Sequence, residues 1–237
     1  MKGHGDRRAN PRIWDTDWHV LRRQAAAIAA VLGNPALALR GACVLDFGCG
    51  TRPYEPWFTA AGASYRGADI DGRHEVAIGE DGRLEAADAS ADVVASFQVL
   101  EHIWDLDTYL GECHRVLKPG GMLLLSTHGN WFYHPHPGDY RRWTADGLRR
   151  EVESRGFRIV ELRAVVGPLA WTSVLRSFGV ALAARHIPLA GRAITAVAAV
   201  LYNVRAWVED RITPADVTAN NACVYVGLFR KTEARTR

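Results

Sequence analysis

The stretch Cys43-Val44-Leu45-Asp46-Phe47-Gly48-Cys49-Gly50-Thr51 is a short apolar run that ends on an acidic residue and two glycines. A helical apolar pattern follows over residues 53–61 and closes at Gly62. Strand, glycine loop and helix in that order open a parallel sheet, because a helix must carry the chain back before the next parallel strand can start. The alternation continues outward. Strands are expected at 64–69, 75–78, 92–96 and 122–127, and a helix at about 105–117. Thr144 can cap a helix that runs to Arg155 and stops at Gly156, with an apolar strand at 157–162 behind it. Upstream, residues 14–32 carry apolar positions at helical spacing and end at Gly33-Asn34-Pro35. Such a pattern predicts an α/β fold with helices on both faces of a mostly parallel sheet.

Residues 168–212 depart from the alternation. They are rich in Ala, Leu and Val, punctuated by Arg176, Arg185, Arg192 and Arg205, and broken near Ile187-Pro188, so two amphipathic helices are expected. A strand pattern returns at 222–229, which makes the helical pair an insertion before the last strand. With 237 residues, 48% apolar and 23% charged, the chain can bury one substantial core, so one domain is expected. Within it, 1–40 form an N-terminal helical lid, 41–165 a ligand-binding core, 168–212 the insertion, and 213–237 the last strand and tail.

A formal net charge of +3 on scattered basic residues does not call for a nucleic-acid surface. Cys43, Cys49, Cys113 and Cys223 are widely spaced, unlike a disulfide ladder or a zinc framework, and a reducing cytoplasm is the expected compartment. The run from Ala193 to Val204 is short of the ~20 residues a membrane-spanning helix needs.

Open parallel sheets bind ligands beyond the carboxyl ends of their strands, where glycine lets the backbone approach a ligand. Gly48 and Gly50 occupy that place. The third glycine of a dinucleotide fingerprint is Pro53 here, and no Gly-Lys-Ser/Thr run follows, which weakens both phosphate-binding readings. Asp46 would repel a pyrophosphate and favour an ammonium group. Asp69 stands near the ~20-residue offset at which a carboxylate accepts ribose hydroxyls, so a nucleoside with an amino-acid tail satisfies both acids.

These residues resemble the class I S-adenosylmethionine-dependent methyltransferases, in particular the small-molecule type 11 group. The resemblance covers about 41–162. It rests on Val44-Leu45-Asp46-Phe47-Gly48-Cys49-Gly50-Thr51, on Tyr65-Arg66-Gly67-Ala68-Asp69-Ile70-Asp71, on the run from Asp92 through Gln98 to His102, and on Arg115-Val116-Leu117-Lys118-Pro119-Gly120-Gly121. It implies a Rossmann-like sheet of seven strands with a reversed last strand. It also implies S-adenosyl-L-methionine as cofactor and S-adenosyl-L-homocysteine as product. Asp46, Gly48 and Gly50 would contact the methionine part, Asp69 the ribose, with Asp71 as the alternative ribose partner, and Gln98 would lie near the sulfonium; Cys49 and Ile70 are the further cofactor-binding candidates. For the adenine, the segment after the third strand offers Glu85, Ala87 or Asp88. Arg52 stands where the family commonly has its third glycine.

Transfer of a methyl group to a hydroxyl calls for an aligned nucleophile and a base that takes its proton. The segment from His128 to Thr144 follows a strand end that faces the crevice and mixes three histidines with five aromatics. His136, His134 and His128 are the candidate bases, the first two leading; the alternative is a rigid loop whose imidazoles cap backbone groups. Asp139 and Arg142 can pair to order that loop, and no metal site is expected. Phe97-Gln98-Val99-Leu100 stands where amine methylases of the family carry Asn/Asp-Pro-Pro-aromatic, so a hydroxyl on a small molecule, sugar or lipid is the expected acceptor. The insertion can lid the acceptor pocket, form a homodimer face, or lie on a bilayer as a peripheral membrane contact. In the alternative reading the fold is non-catalytic and binds a partner or membrane through it.

Overall fold

Successive side chains of a strand point to opposite faces, so an unbroken apolar run needs cover on both. The computed structural model describes residues 4–233 and supplies that cover. In chain order the elements are α1 (His4–Ala9), α2 (Trp18–Leu32), β1 (Cys43–Phe47), α3 (Glu55–Ala60), β2 (Ser64–Ala68), β3 (Ala91–Phe97), a 3-10 turn at Leu100–His102, and α4 (Leu106–Val116). They continue with β4 (Leu117–His128), α5 (Ala145–Glu153), β5 (Phe157–Val165), α6 (Pro168–Ala184), α7 (Gly191–Ile212), α8 (Ala215–Asn220) and β6 (Val224–Lys231).

The strands form one sheet in the order β2-β1-β3-β4-β6-β5. β2, β1, β3 and β4 pair in parallel, while β6 slots between β4 and β5 antiparallel to both. Alternate residues feed two cores. Val44, Val93, Ala95, Leu124 and Val226 meet Ile28 of α2, Phe58 of α3 and Val174 of α6 on one face. Leu45, Val94, Leu123 and Phe229 meet Leu110 of α4 and Leu148 of α5 on the other.

Local chemistry fixes the helix starts. The Asp105 carboxylate accepts from the Thr108 amide at 3.0 Å and begins α4, and the Thr144 hydroxyl accepts from the Gly147 amide at 3.0 Å and begins α5. α2 starts at Trp18 rather than at residue 14, because the Asp15 carboxylate accepts from the Arg12 amide in a preceding turn. α2 is a sheet-covering helix, with Val20, Ile28 and Val31 buried against β5 and β6, so of the expected N-terminal lid only the segment before it reaches the clefts described below.

The strand expected at 75–78 does not form. That segment touches its neighbours only through the single bridges Ala68–Val76 and Ile78–Leu84, and the sheet has six strands among the described residues instead of seven. Residues 71–83 are mostly glycines and charged side chains, and the Gly79 amide donates to the Arg83 carbonyl at 2.8 Å in a local turn instead of a ladder. The insertion is the expected helical pair, α6 and α7, broken at residues 185–190. Along α7, Ile194, Val197, Leu201, Val204 and Val208 form an exposed apolar stripe. Among the described residues no helix is long and apolar enough to cross a membrane.

Candidate active site

β1 leads to β2 on one side and β3 lies on the other, so the chain reverses its direction of winding between β1 and β3. The loops that leave their carboxyl ends diverge and open a cleft of about 810 Å³. Gly48 follows β1 and Gln98 follows β3. A Cβ on Gly48 would lie 2.4 Å from Cγ2 of Val99, and φ there is +88°, so only glycine fits. Gly50, at φ +50°, has nothing within 4 Å of its Cβ position and presents bare backbone.

Five of the candidate cofactor residues line this cleft: Gly48, Gly50, Asp69, Ile70 and Gln98. The Asp69 carboxylate accepts from the Gly50 amide and the Ile70 amide, both at 2.7 Å, and so ties the glycine loop to the end of β2. Ile70 is 71% exposed and gives the cleft an apolar wall. Gln98 has φ +57°, donates through Nε2 to the Ser126 hydroxyl at 3.0 Å, and leaves its buried Oε1 without a hydrogen-bond partner. A buried acceptor left unpaired is costly and marks a place where a ligand donor fits.

Three candidates lie elsewhere. Asp46 is buried beneath the loop. The Tyr65 hydroxyl donates to its Oδ2 at 2.6 Å, and its Oδ1 has no hydrogen-bond partner. Burial outweighs the Tyr65 hydrogen bond and pushes this carboxyl up to about 7. Cys49 is also buried; its sulfur packs where a Cβ on Gly67 would stand, and burial pushes its thiol up to about 12. Asp88 precedes β3, at the end opposite the cleft, and pairs with Arg115 at 2.6 Å. It is corrected as an adenine contact. Glu80, Asp81 and Gly82, in the segment between β2 and β3, line the cleft where Asp88 does not. Arg52 takes the left-handed conformation expected of the family's third glycine, at φ +57°. Its guanidinium pairs with Glu75 and lies 3.2 Å from Nδ1 of His74. The bond from Arg52 holds the Glu75 carboxyl down at about 2.

The three candidate histidines separate by environment. His128 is buried, with Nδ1 2.8 Å from Glu101 and its ring stacked on Trp131 at 4.8 Å. Burial alone would raise the Glu101 carboxyl, yet attraction to His128 and hydrogen bonds from His128 and Thr127 hold it at about 2. His128 therefore belongs to the scaffold, and Glu101 is its partner, a residue within the quoted motif to which the sequence assigned no role. His136 lines the cleft and is exposed. His134 is half-buried, with Nδ1 3.1 Å from the Phe132 carbonyl, so this nitrogen is the donor and Nε2 keeps the lone pair. Burial, helped by His128 and His102, lowers its pKa and keeps the ring neutral.

Arg142 fixes this loop by a two-pronged pair with Asp139, at 2.5 and 2.7 Å, and Asp139 also accepts from the His134 amide at 2.9 Å. His102 donates to the Gly138 carbonyl and lines the cleft. Glu101, His102 and His134 bring potential metal-donor atoms within 4.8 Å of one another, but both Glu101 oxygens are already engaged, by His128 and Thr127.

Residues 18–162 match the methyltransferase-domain family. A probable S-adenosylmethionine-dependent methyltransferase of Mycolicibacterium smegmatis is 36% identical over 113 residues, 45% of this chain and 42% of that protein. The chain thus spans less than half the length of that relative. A ubiquinone biosynthesis O-methyltransferase of Cereibacter sphaeroides is 32% identical over 187 residues, 65% of this chain and 75% of the other. Among solved structures, the [4+2]-cyclase SpnF superposes with a TM-score of 0.56 at 21% identity, over 88% of this chain and 82% of its own, a likeness of fold. The bare edge at Gly50, the unpaired Oε1 of Gln98 and the Asp69 carboxylate fit the donor such folds hold, which carries hydroxyls and an ammonium group. With the sheet order and the glycine cleft in agreement, the chain belongs to the methyltransferase-domain family.

Proposed function

We propose that this chain is an S-adenosylmethionine-dependent O-methyltransferase acting on a hydroxyl of a small, sugar-like or lipophilic acceptor, with His134 as the base. The observation that carries the reading is the state of His134: half-buried in the cleft, its Nδ1 proton committed to Phe132 and its Nε2 free to accept. When bound, S-adenosylmethionine supplies an electrophilic methyl group on a sulfonium and leaves as S-adenosylhomocysteine. Asp69 and Ile70 would hold the ribose, Gly48 and Gly50 the methionine backbone, and Gln98 would accept a donor through Oε1. Asp46 lies beneath the loop, where a bound cation would favour its charged form. His134 Nε2 takes the acceptor's proton as the new carbon–oxygen bond forms, and Arg142 and Asp139 keep its backbone in place. The name of the Cereibacter relative, an O-methyltransferase, supports oxygen as the attacked atom.

Mass spectrometry of the purified protein for retained cofactor, followed by a metabolite screen with a methyl-labelled donor, tests the assignment. His134→Gln should lower kcat at least about a hundredfold with S-adenosylhomocysteine affinity unchanged. Label on amines alone would overturn the hydroxyl reading. An Asp69→Ala variant with undiminished cofactor binding would remove the ribose role.

A further inference from the structure

A second cleft, of about 990 Å³, opens on the other side of His134, between the segment from Arg7 to Asp17, the loop at 131–134 and the hairpin of α6 and α7. Among the described residues, His134 is the one that lines both clefts. The inner wall is aromatic. Trp131 stacks on Trp171 at 5.0 Å and meets Phe178 at 5.8 Å, while Phe132 meets Phe178 at 5.1 Å. Because Trp131 also stacks on the buried His128, this wall is anchored to the Glu101–His128 pair. Leu182, Ile187, Thr195 and Ala196 complete an interior with little hydrogen-bonding capacity.

The rim has the opposite character. Arg7, Arg185 and Arg192 line it. Arg7 is matched by Asp17 and Asp15, but Arg185 and Arg192 form no ion pair among the described residues. Among the described residues, Asp17 is the sole acidic one lining the cleft, and it belongs to Arg7. An apolar, aromatic interior beneath two uncompensated guanidinium groups is complementary to one ligand chemistry: an apolar body with an anionic end.

We propose that this second cleft holds the body of the methyl acceptor, an amphiphile whose apolar chain or ring system lies on Trp131, Phe132 and Phe178. Its phosphate or carboxylate engages Arg185 and Arg192, while its reacting hydroxyl passes His134 into the cofactor cleft. The acceptor role rests on the methyl-transfer reading above; the cleft's ligand chemistry does not. A single amphiphile enters the cleft, as opposed to a bilayer lying on the hairpin. Cleft binding sets the apolar body beside Trp14 and Trp131, tryptophans that report on it.

Dodecyl phosphate below its micellar concentration is the probe, with tryptophan fluorescence and calorimetry as readouts. It should bind the full chain and bind at least about tenfold more weakly to the Arg185→Gln/Arg192→Gln double variant, since hydrogen bonds to charged groups are the strong ones. Dodecyltrimethylammonium should bind far more weakly than the phosphate. Ala196→Trp, which fills the interior and leaves both arginines, should abolish binding. S-adenosylhomocysteine affinity should be unchanged in the double variant, and this checks its fold. Equal dodecyl phosphate binding by wild type and double variant overturns the proposal. So does binding only to phosphatidylglycerol vesicles, which would make the arginines a membrane contact. Binding of dodecyl phosphate without binding of S-adenosylhomocysteine would sink the methyl-transfer reading and leave the ligand chemistry of the cleft standing.

Discussion

Gly48→Ala places a methyl group 2.4 Å from Cγ2 and 3.0 Å from Cγ1 of Val99, where the two loops of the switch point meet. Two costs add. At φ +88° an L-residue loses roughly 1–2 kcal/mol relative to glycine, and overpacking a tight contact costs about 1–3 kcal/mol. The sum, about 2–5 kcal/mol, is a large part of the 5–15 kcal/mol typical of a domain. Val99→Ala in the same chain removes the offending methyls but not the backbone strain, so the double variant should recover about 1–3 kcal/mol. Urea denaturation followed by circular dichroism measures both. Gly50→Ala is the control. Its Cβ meets nothing within 4 Å and φ is +50°, so it should cost only the backbone term, roughly 1–2 kcal/mol, while weakening S-adenosylhomocysteine binding, because Gly50 lines the cleft. Stability of Gly48→Ala within about 0.5 kcal/mol of wild type, or no rescue by Val99→Ala, would refute the packing argument.

Three further outcomes are expected. The Asp46 carboxyl titrates near 7 in the folded chain and near 3.8 when exposed, so its contribution is intact below about pH 4 and declines as pH rises toward 7. Asp46→Asn should therefore gain stability over wild type at pH 8, by up to ~4 kcal/mol, and lose that advantage at pH 4; equal denaturation midpoints across this range would contradict the buried charge. Asp139 is held well below the usual carboxylate range by Arg142, then by the His134 amide, and its contribution is present above about pH 4 and lost as pH falls further. Asp139→Asn should cost about 2 kcal/mol at pH 7 and raise KM with little change in cofactor affinity, as steady-state kinetics would show. Since His134 is kept neutral by burial and by its histidine neighbours, the acid limb of the kcat/KM profile should lie below 6.5, the ordinary histidine value; a limb above that value would assign the base to another group.

Much of this molecule is written locally. Apolar runs at 43–47 and 122–127 dictate strands buried on both faces, Thr144 and Asp105 sit where helices start, and the two glycines after Asp46 mark the loop at the sheet's carboxyl edge. These follow from periodicity and capping, which involve neighbours in sequence. No seventh strand forms at 75–78, because a strand there depends on an edge partner and on cover, and 71–83 carry too little apolar surface for either.

The site divides the same way. That Gly48, Gly50, Asp69, Ile70 and Gln98 gather at one cleft is legible in the sequence, because ligand crevices in such sheets lie beyond the carboxyl ends of the strands. What tertiary structure alone decided is which atoms remain available: Asp46 lies beneath the loop on Tyr65, Asp88 lies at the far end, and His128 is spent on Glu101. The partners of these groups come from other elements of the fold, and desolvation depends on everything packed around a group. Those are long-range properties, so three similar histidines in one short segment acquired different chemistry only when the chain closed around them.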